Sequence, residues 1–276
     1  MALLVLATLF TGCVGNGGET TPSTTAAPTV QSISVTGSTT VLPIAQKAAE
    51  SYMDANVYAD IQVSGGGSGA GVQAVGEGTA DIGMASRDLK AAEKEKYPDL
   101  VQYVVARDGI AVIVNPAVAV NALTTEQIKA IYTGETKNWK ELGGSDMTIV
   151  VIGRDSSSGT REFFSEKVME KADYVSTQLE KNSNGAVKQT VAQTPGAIGY
   201  VGLGYLDATV KALKIDENGN LVEPSIETVT SGAYPVSRTL NMFTKGEASG
   251  LSKDYLDYIL SPAGQKIVEE EGFVSV

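Results

Sequence analysis

Residues Arg154–Phe164 read RDSSSGTREFF. An arginine stands before three serines, followed by Gly159, Thr160 and a segment of helical character. One positive charge, several hydroxyls and the unpaired N–H groups of a helix first turn suit an oxyanion. The same hydroxyls would also suit a serine nucleophile. The two chemistries need different companions, so the remainder of the chain decides between them.

Nucleophilic catalysis finds few companions. The 276-residue chain has no histidine, which removes Ser-His-Asp and Cys-His catalysis and the usual histidine-containing zinc sites. GGSGA at 66–70 departs from a nucleophile elbow at Ala70. No Ser-x-x-Lys and no G-x-x-x-x-G-K-[ST] occur, and the glycines at 65–71 miss G-x-G-x-x-G. The chain is therefore read as a protein that is not an enzyme, with no cofactor and no metal. A formal net charge of −11 argues against nucleic acid, whose phosphate backbone wants a basic face. A small anion needs only local dipoles and hydrogen bonds.

Three strand ends carry Gly/Ser/Thr loops that open helices: TGSTT at 36–40, SGGGSGAG at 64–71 and RDSSSGT at 154–160. Taken singly, each is an ordinary cap and turn. Aimed together, they would replace the hydration shell of an anion with fixed donors. The elements that position them are readable. SISVTGS alternates as a strand does, ADIGMAS and Ile110–Val114 are apolar runs, and MTIVVIG leads straight into Arg154. Thr124 with Gln127 makes a capping-box pattern, and Gly134 is placed to stop that helix. Trp139 in KNWKEL reads as packing near the surface. Strands alternate with helices throughout, which predicts an α/β fold with mainly parallel pairing. Ligands of such sheets sit outside the carboxyl ends of the strands.

MALLVLATLFTGC at the N-terminus is too short to span a bilayer, which takes ~20 residues. It reads as the apolar part of an export signal, and FTGC resembles a lipobox that would lipidate Cys13. Residues 14–31 are rich in Gly, Thr, Ser and Pro and read as a flexible tether. With one cysteine, no intrachain disulfide is possible. Anchor, tether and body describe a protein held outside the cytoplasmic membrane.

GSTTVLPIA, GGGSGAGVQA, ADIGMASRDL, RDGIAVIVNP, RDSSSGTREFF and PGAIGYVGLGYL occur in this order. They resemble the phosphate-binding proteins of the high-affinity phosphate ABC transporter (the PstS type, compact form), over residues 32–276. The resemblance implies a two-lobed, type 2 periplasmic-binding-protein fold with a phosphate cleft between the lobes, each lobe a mostly parallel sheet flanked by helices. Lobe 1 would be 32–112 plus 236–276, and lobe 2 would be 113–235. Hinges are expected near 114–116 and 234–237. Ser38, Thr39, Thr40 and Ser68 would be ligands from the first lobe, and Arg154, Ser158, Gly159 and Thr160 from the second. A family aspartate that accepts the proton of hydrogen phosphate falls on GMASRDL, where Ser86, Arg87 and Asp88 compete for the position. Asp108 is a further candidate for that acceptor. Arg87 and Arg161 are alternative direct ligands. The resemblance implies a monomer delivering phosphate to permease subunits. The readings left open are another oxyanion, such as sulfate or molybdate, and a surface sensor or adhesion protein on the same fold.

Overall fold

The protein was analysed as a computed structural model, which describes residues 29–276. Cys13, the export signal and most of the tether lie outside the described residues. The first third of the chain lays down β1 (Gln31–Gly37), α1 (Leu42–Ala55), β2 (Ala59–Ser64), α2 (Ser68–Glu77), β3 (Ile82–Ala85) and α3 (Ala91–Lys96). Pro43 sits in the first turn of α1, where its missing N–H costs nothing. Gly78 ends α2 in the left-handed conformation. β1 and β3 are buried along their inner positions, and their loops emerge at one end of the sheet.

β4 (Leu100–Val114) then crosses the molecule. Beyond it come β5 (Ala122–Leu123), α4 (Thr125–Thr133), β6 (Val150–Arg154), α5 (Gly159–Lys167), β7 (Leu179–Lys181), α6 (Asn184–Gln193) and β8 (Ala197–Gly202). Small strands β9 (Lys211–Ala212), β10 (Lys214–Glu217) and β11 (Asn220–Val222) and helix α7 (Ile226–Thr230) follow. The chain returns through β12 (Ser237–Lys245) and ends in α8 (Gly250–Leu260) and α9 (Pro262–Glu270). The capping box at α4 forms: Gln127 N–H donates to Thr124 Oγ1 at 3.2 Å, and Thr124 N–H donates to Gln127 Oε1 at 2.9 Å. Gly134 closes that helix at φ 83°.

The main sheet runs β2-β1-β3-β12-β4-β8-β6-β7, with β9 also on β4. The outer pairs β1–β2, β1–β3, β6–β7 and β6–β8 are parallel. The central pairs β3–β12, β12–β4 and β4–β8 are antiparallel, which the sequence reading did not anticipate. The cause is connectivity: β12 brings the chain back against the direction of β3 and β4. β4 pairs with β12 up to Gly109 and with β8 from Ile110, so one strand serves both halves. The apolar cores divide there. Val105 and Ala106 belong to one cluster with Ile33, Ile44 and Leu240, whereas Ile110 to Val114 belong to another with Ile152, Phe164 and Tyr200. Trp139 lies inside the second core rather than near the surface, and its Nε1–H donates to Gly196 O at 2.9 Å. A buried indole needs that acceptor.

Candidate anion-binding site

Three loops meet between the two cores. In the first, β1 ends at Gly37, whose φ of +134° and approach to Met84 O leave no room for a side chain. Ser38 N–H donates to Met84 O at 2.9 Å, and Ser38 Oγ accepts from Thr40 N–H at 3.1 Å. This turn holds Thr39 and Thr40 in the interior. In the second, Ser68 opens α2, and its Oγ accepts from Ser86 N–H at 3.0 Å and lies 3.3 Å from Ser86 Oγ. In the third, Ser158 caps α5, its Oγ accepting from Arg161 N–H at 3.1 Å.

The halves interlock through these loops. Gly69 N–H donates to Ser157 O at 3.0 Å, and Ser157 Oγ donates to Gly66 O at 3.1 Å. Thr40 Oγ1 and Thr160 Oγ1 are 3.1 Å apart. A Cβ on Gly159 would stand 2.3 Å from Ser68 Oγ and 3.0 Å from Ser86 Oγ. Ser38, Thr39, Thr40, Ser68, Ser86, Ser158 and Thr160 are all buried. Among the described residues, nothing accepts a hydrogen bond from the N–H groups of Thr39, Ser68, Gly159 and Thr160. Buried amides without acceptors cost free energy, and helix first turns carry partial positive charge. The arrangement therefore favours an acceptor-rich, negatively charged occupant.

Charged groups complete the cluster. Arg154 is 1% exposed, and its Nε and Nη2 donate to Lys181 O at 3.1 Å and Asn182 O at 3.3 Å. Burial pushes its proton affinity down, as does the nearby Arg238 charge. Asp108 is the one buried carboxylate among the described residues. Its Oδ1 accepts from Leu203 N–H at 2.9 Å, and its Oδ2 accepts from Arg238 Nη2 at 2.8 Å and Nε at 3.1 Å. Burial raises the Asp108 carboxyl above its usual range, with Arg238 opposing. Burial likewise lowers Arg238, with Asp108 opposing. Desolvation is the larger influence on both partners.

Two members of the cluster were not anticipated. Asn184, the first residue of α6, donates from Nδ2 to Thr40 Oγ1 at 3.0 Å and to Thr39 Oγ1 at 3.1 Å. Arg238 donates from Nη2 to Thr160 Oγ1 at 3.1 Å and to Thr40 Oγ1 at 3.3 Å. The available signals were an asparagine beside the Ser183 cap and an arginine at the second position of β12. Three expected candidates point elsewhere. The Arg87 guanidinium forms a fork on Glu93 at 2.7 Å for each oxygen, and its Nε is 2.6 Å from Glu162 Oε2. Asp88 is exposed. Arg161 donates to Arg154 O at 2.5 Å, pairs with Glu180 and stacks over Tyr174. These arginines turn to the glutamates within their reach, Glu93, Glu162 and Glu180, and sequence adjacency to a ligand loop does not decide their direction.

A family model described as a PBP superfamily domain matches residues 22–263. The whole chain is 40% identical to the phosphate-binding protein PstS of Bacillus subtilis (strain 168), covering 93% of that protein. The chain belongs to the PstS family of phosphate-binding proteins. Among solved structures, it is 40% identical to a putative phosphate ABC transporter substrate-binding protein with bound phosphate from Clostridium perfringens. That match covers 89% of this chain and 100% of the other, at a TM-score of 0.83. An ABC-type phosphate transport receptor from Vibrio cholerae is 32% identical, at a TM-score of 0.73 over 88% of this chain and 100% of that one. Both share the fold of this chain over most of its length.

Proposed function

We propose that this protein captures inorganic phosphate outside the cytoplasm and delivers it to an ABC transporter permease, without catalysing a reaction. The observation that carries the reading is the set of buried, acceptor-less amides at Thr39, Ser68, Gly159 and Thr160, supplied by both halves of the molecule. Those amides, the Ser38, Thr39, Thr40, Ser68, Ser158 and Thr160 hydroxyls and the Arg154 guanidinium are the proposed ligands. Lobe 1 is 32–112 with 236–276, lobe 2 is 113–235, and the lobes close over the anion about the two connecting strands. Closure excludes water, so each remaining hydrogen bond strengthens. Micromolar binding requires about 8 kcal/mol net. Charge-assisted bonds from two buried faces are sufficient for that after ordering costs.

Cys13 is the proposed lipid attachment point, which would hold the monomer at the membrane that carries the permease. Release of the protein from membranes by Cys13→Ala supports the anchor; unchanged membrane retention rules it out. The second reading, another tetrahedral or related oxyanion, shares the same donors. Titration calorimetry with phosphate, sulfate, molybdate and arsenate separates them. Phosphate is expected to bind at micromolar concentration or below, with sulfate far weaker. Tight sulfate binding without a phosphate response overturns the choice of ligand.

A further inference from the structure

We propose that Arg238, held by Asp108, is a second guanidinium ligand of the anion and couples its charge to the hydroxyls of both lobes; this rests on the phosphate reading above. Arg238 lies on β12 one residue beyond the return crossing, and its side chain is only 1% exposed. The Nε–Nη2 edge of the planar group faces Asp108 Oδ2. The second Nη2 hydrogen therefore points along the opposite edge, which carries Nη1, and that hydrogen reaches Thr160 Oγ1 and Thr40 Oγ1. Nη1 shares this edge, is buried, and has no hydrogen-bond partner among the described residues. A guanidinium N–H left unpaired in the interior is costly unless a ligand accepts it.

The hydroxyls carry the consequence further. Thr40 Oγ1 faces donors from Asn184 Nδ2 at 3.0 Å and Arg238 Nη2 at 3.3 Å. With both lone pairs addressed, its own proton must be given away. Thr39 Oγ1 is in the same position towards Asn184 Nδ2 and, at 3.4 Å, Asn184 N–H. The cluster is thus wired to donate, and Arg238 sets the direction at the point where the lobes touch. Asp108 keeps that charge oriented before the anion arrives, since a buried cation without a counter-charge is expensive. Lysine cannot replace it fully, because an ammonium lacks the planar fork.

The test compares the parent protein with Arg238→Lys and Arg238→Gln by phosphate calorimetry and by unliganded thermal melting. Arg238→Gln is expected to weaken phosphate at least hundredfold, and Arg238→Lys about tenfold, each beyond any change in the melt. Dissociation constants within threefold of the parent, with or without a lowered melting temperature, overturn the proposal and leave Arg238 a structural ion pair. Should the glutamine variant not fold, the lysine variant decides by the same threefold criterion. If the parent takes sulfate and not phosphate, the phosphate reading has failed. The same comparison with sulfate then decides the role of Arg238 separately.

Discussion

Ser68 Oγ occupies the space that a side chain at residue 159 would need. Gly159→Ala can fold as a helix first turn but cannot let the two loops close fully. Its phosphate affinity is expected to fall at least tenfold in calorimetry, with little change in the unliganded melt; unaltered affinity would show that the loops need not meet. Residue-level legibility followed chain locality. Ser38 to Thr40, Ser68, Ser158 and Thr160 could be read because each lies in a short polar cluster at a strand end. Asn184 and Arg238 could not, since each is a single polar residue whose partners are distant in sequence. Arg87 and Arg161 were misdirected for the complementary reason: Glu162 and Glu180 capture them from other elements. Asp108 was seen as an acceptor for a phosphate proton, whereas its oxygens already accept from Leu203 and Arg238.

Ion pairs join the segment that leads into α3 to helix α5. Glu162 of α5 pairs with Arg87 at 2.6 Å and with Lys90 at 3.0 Å, and Glu93 of α3 backs Arg87 from its own lobe. The Arg87 side chain is 6% exposed and that of Glu162 26%, so the clasp is screened less than a surface pair. On the proposed lobe division, this clasp joins one lobe to the other. Glu162→Gln should therefore speed phosphate dissociation about three- to tenfold in stopped-flow, with association unchanged; an unchanged off-rate would remove the clasp from the closed state. Burial raises Glu93, but Arg87 and the Lys90 N–H outweigh it and hold the carboxyl below its usual range. Its contribution is present above the unfolded carboxylate pKa and is lost as pH falls through the lower folded value. At this scale the start of α4 was legible from Thr124 and Gln127, and its end from Gly134. The handover of β4 from β12 to β8 was not, because an apolar strand has the same pattern beside either neighbour.

The chain carries a formal net charge of −11 yet presents an anion site. Long-range repulsion opposes arrival of phosphate, while short-range dipoles and guanidiniums hold it once inside. Added salt should therefore raise the association rate between ~10 and ~150 mM ionic strength, as the Debye length shortens from ~30 to ~8 Å. A rate that falls with salt would mean that local cationic groups steer the approach instead.

The unbroken course of β4 has a mechanical consequence. Fifteen residues at about 3.3 Å each make a ribbon roughly 50 Å long, paired first with β12 and then with β8 apart from a bulge at Val105. Such a ribbon resists sharp bending far more than torsion. The protein is expected to gape by unwinding a shared torsion bar, which stores elastic work and returns it as the jaws shut.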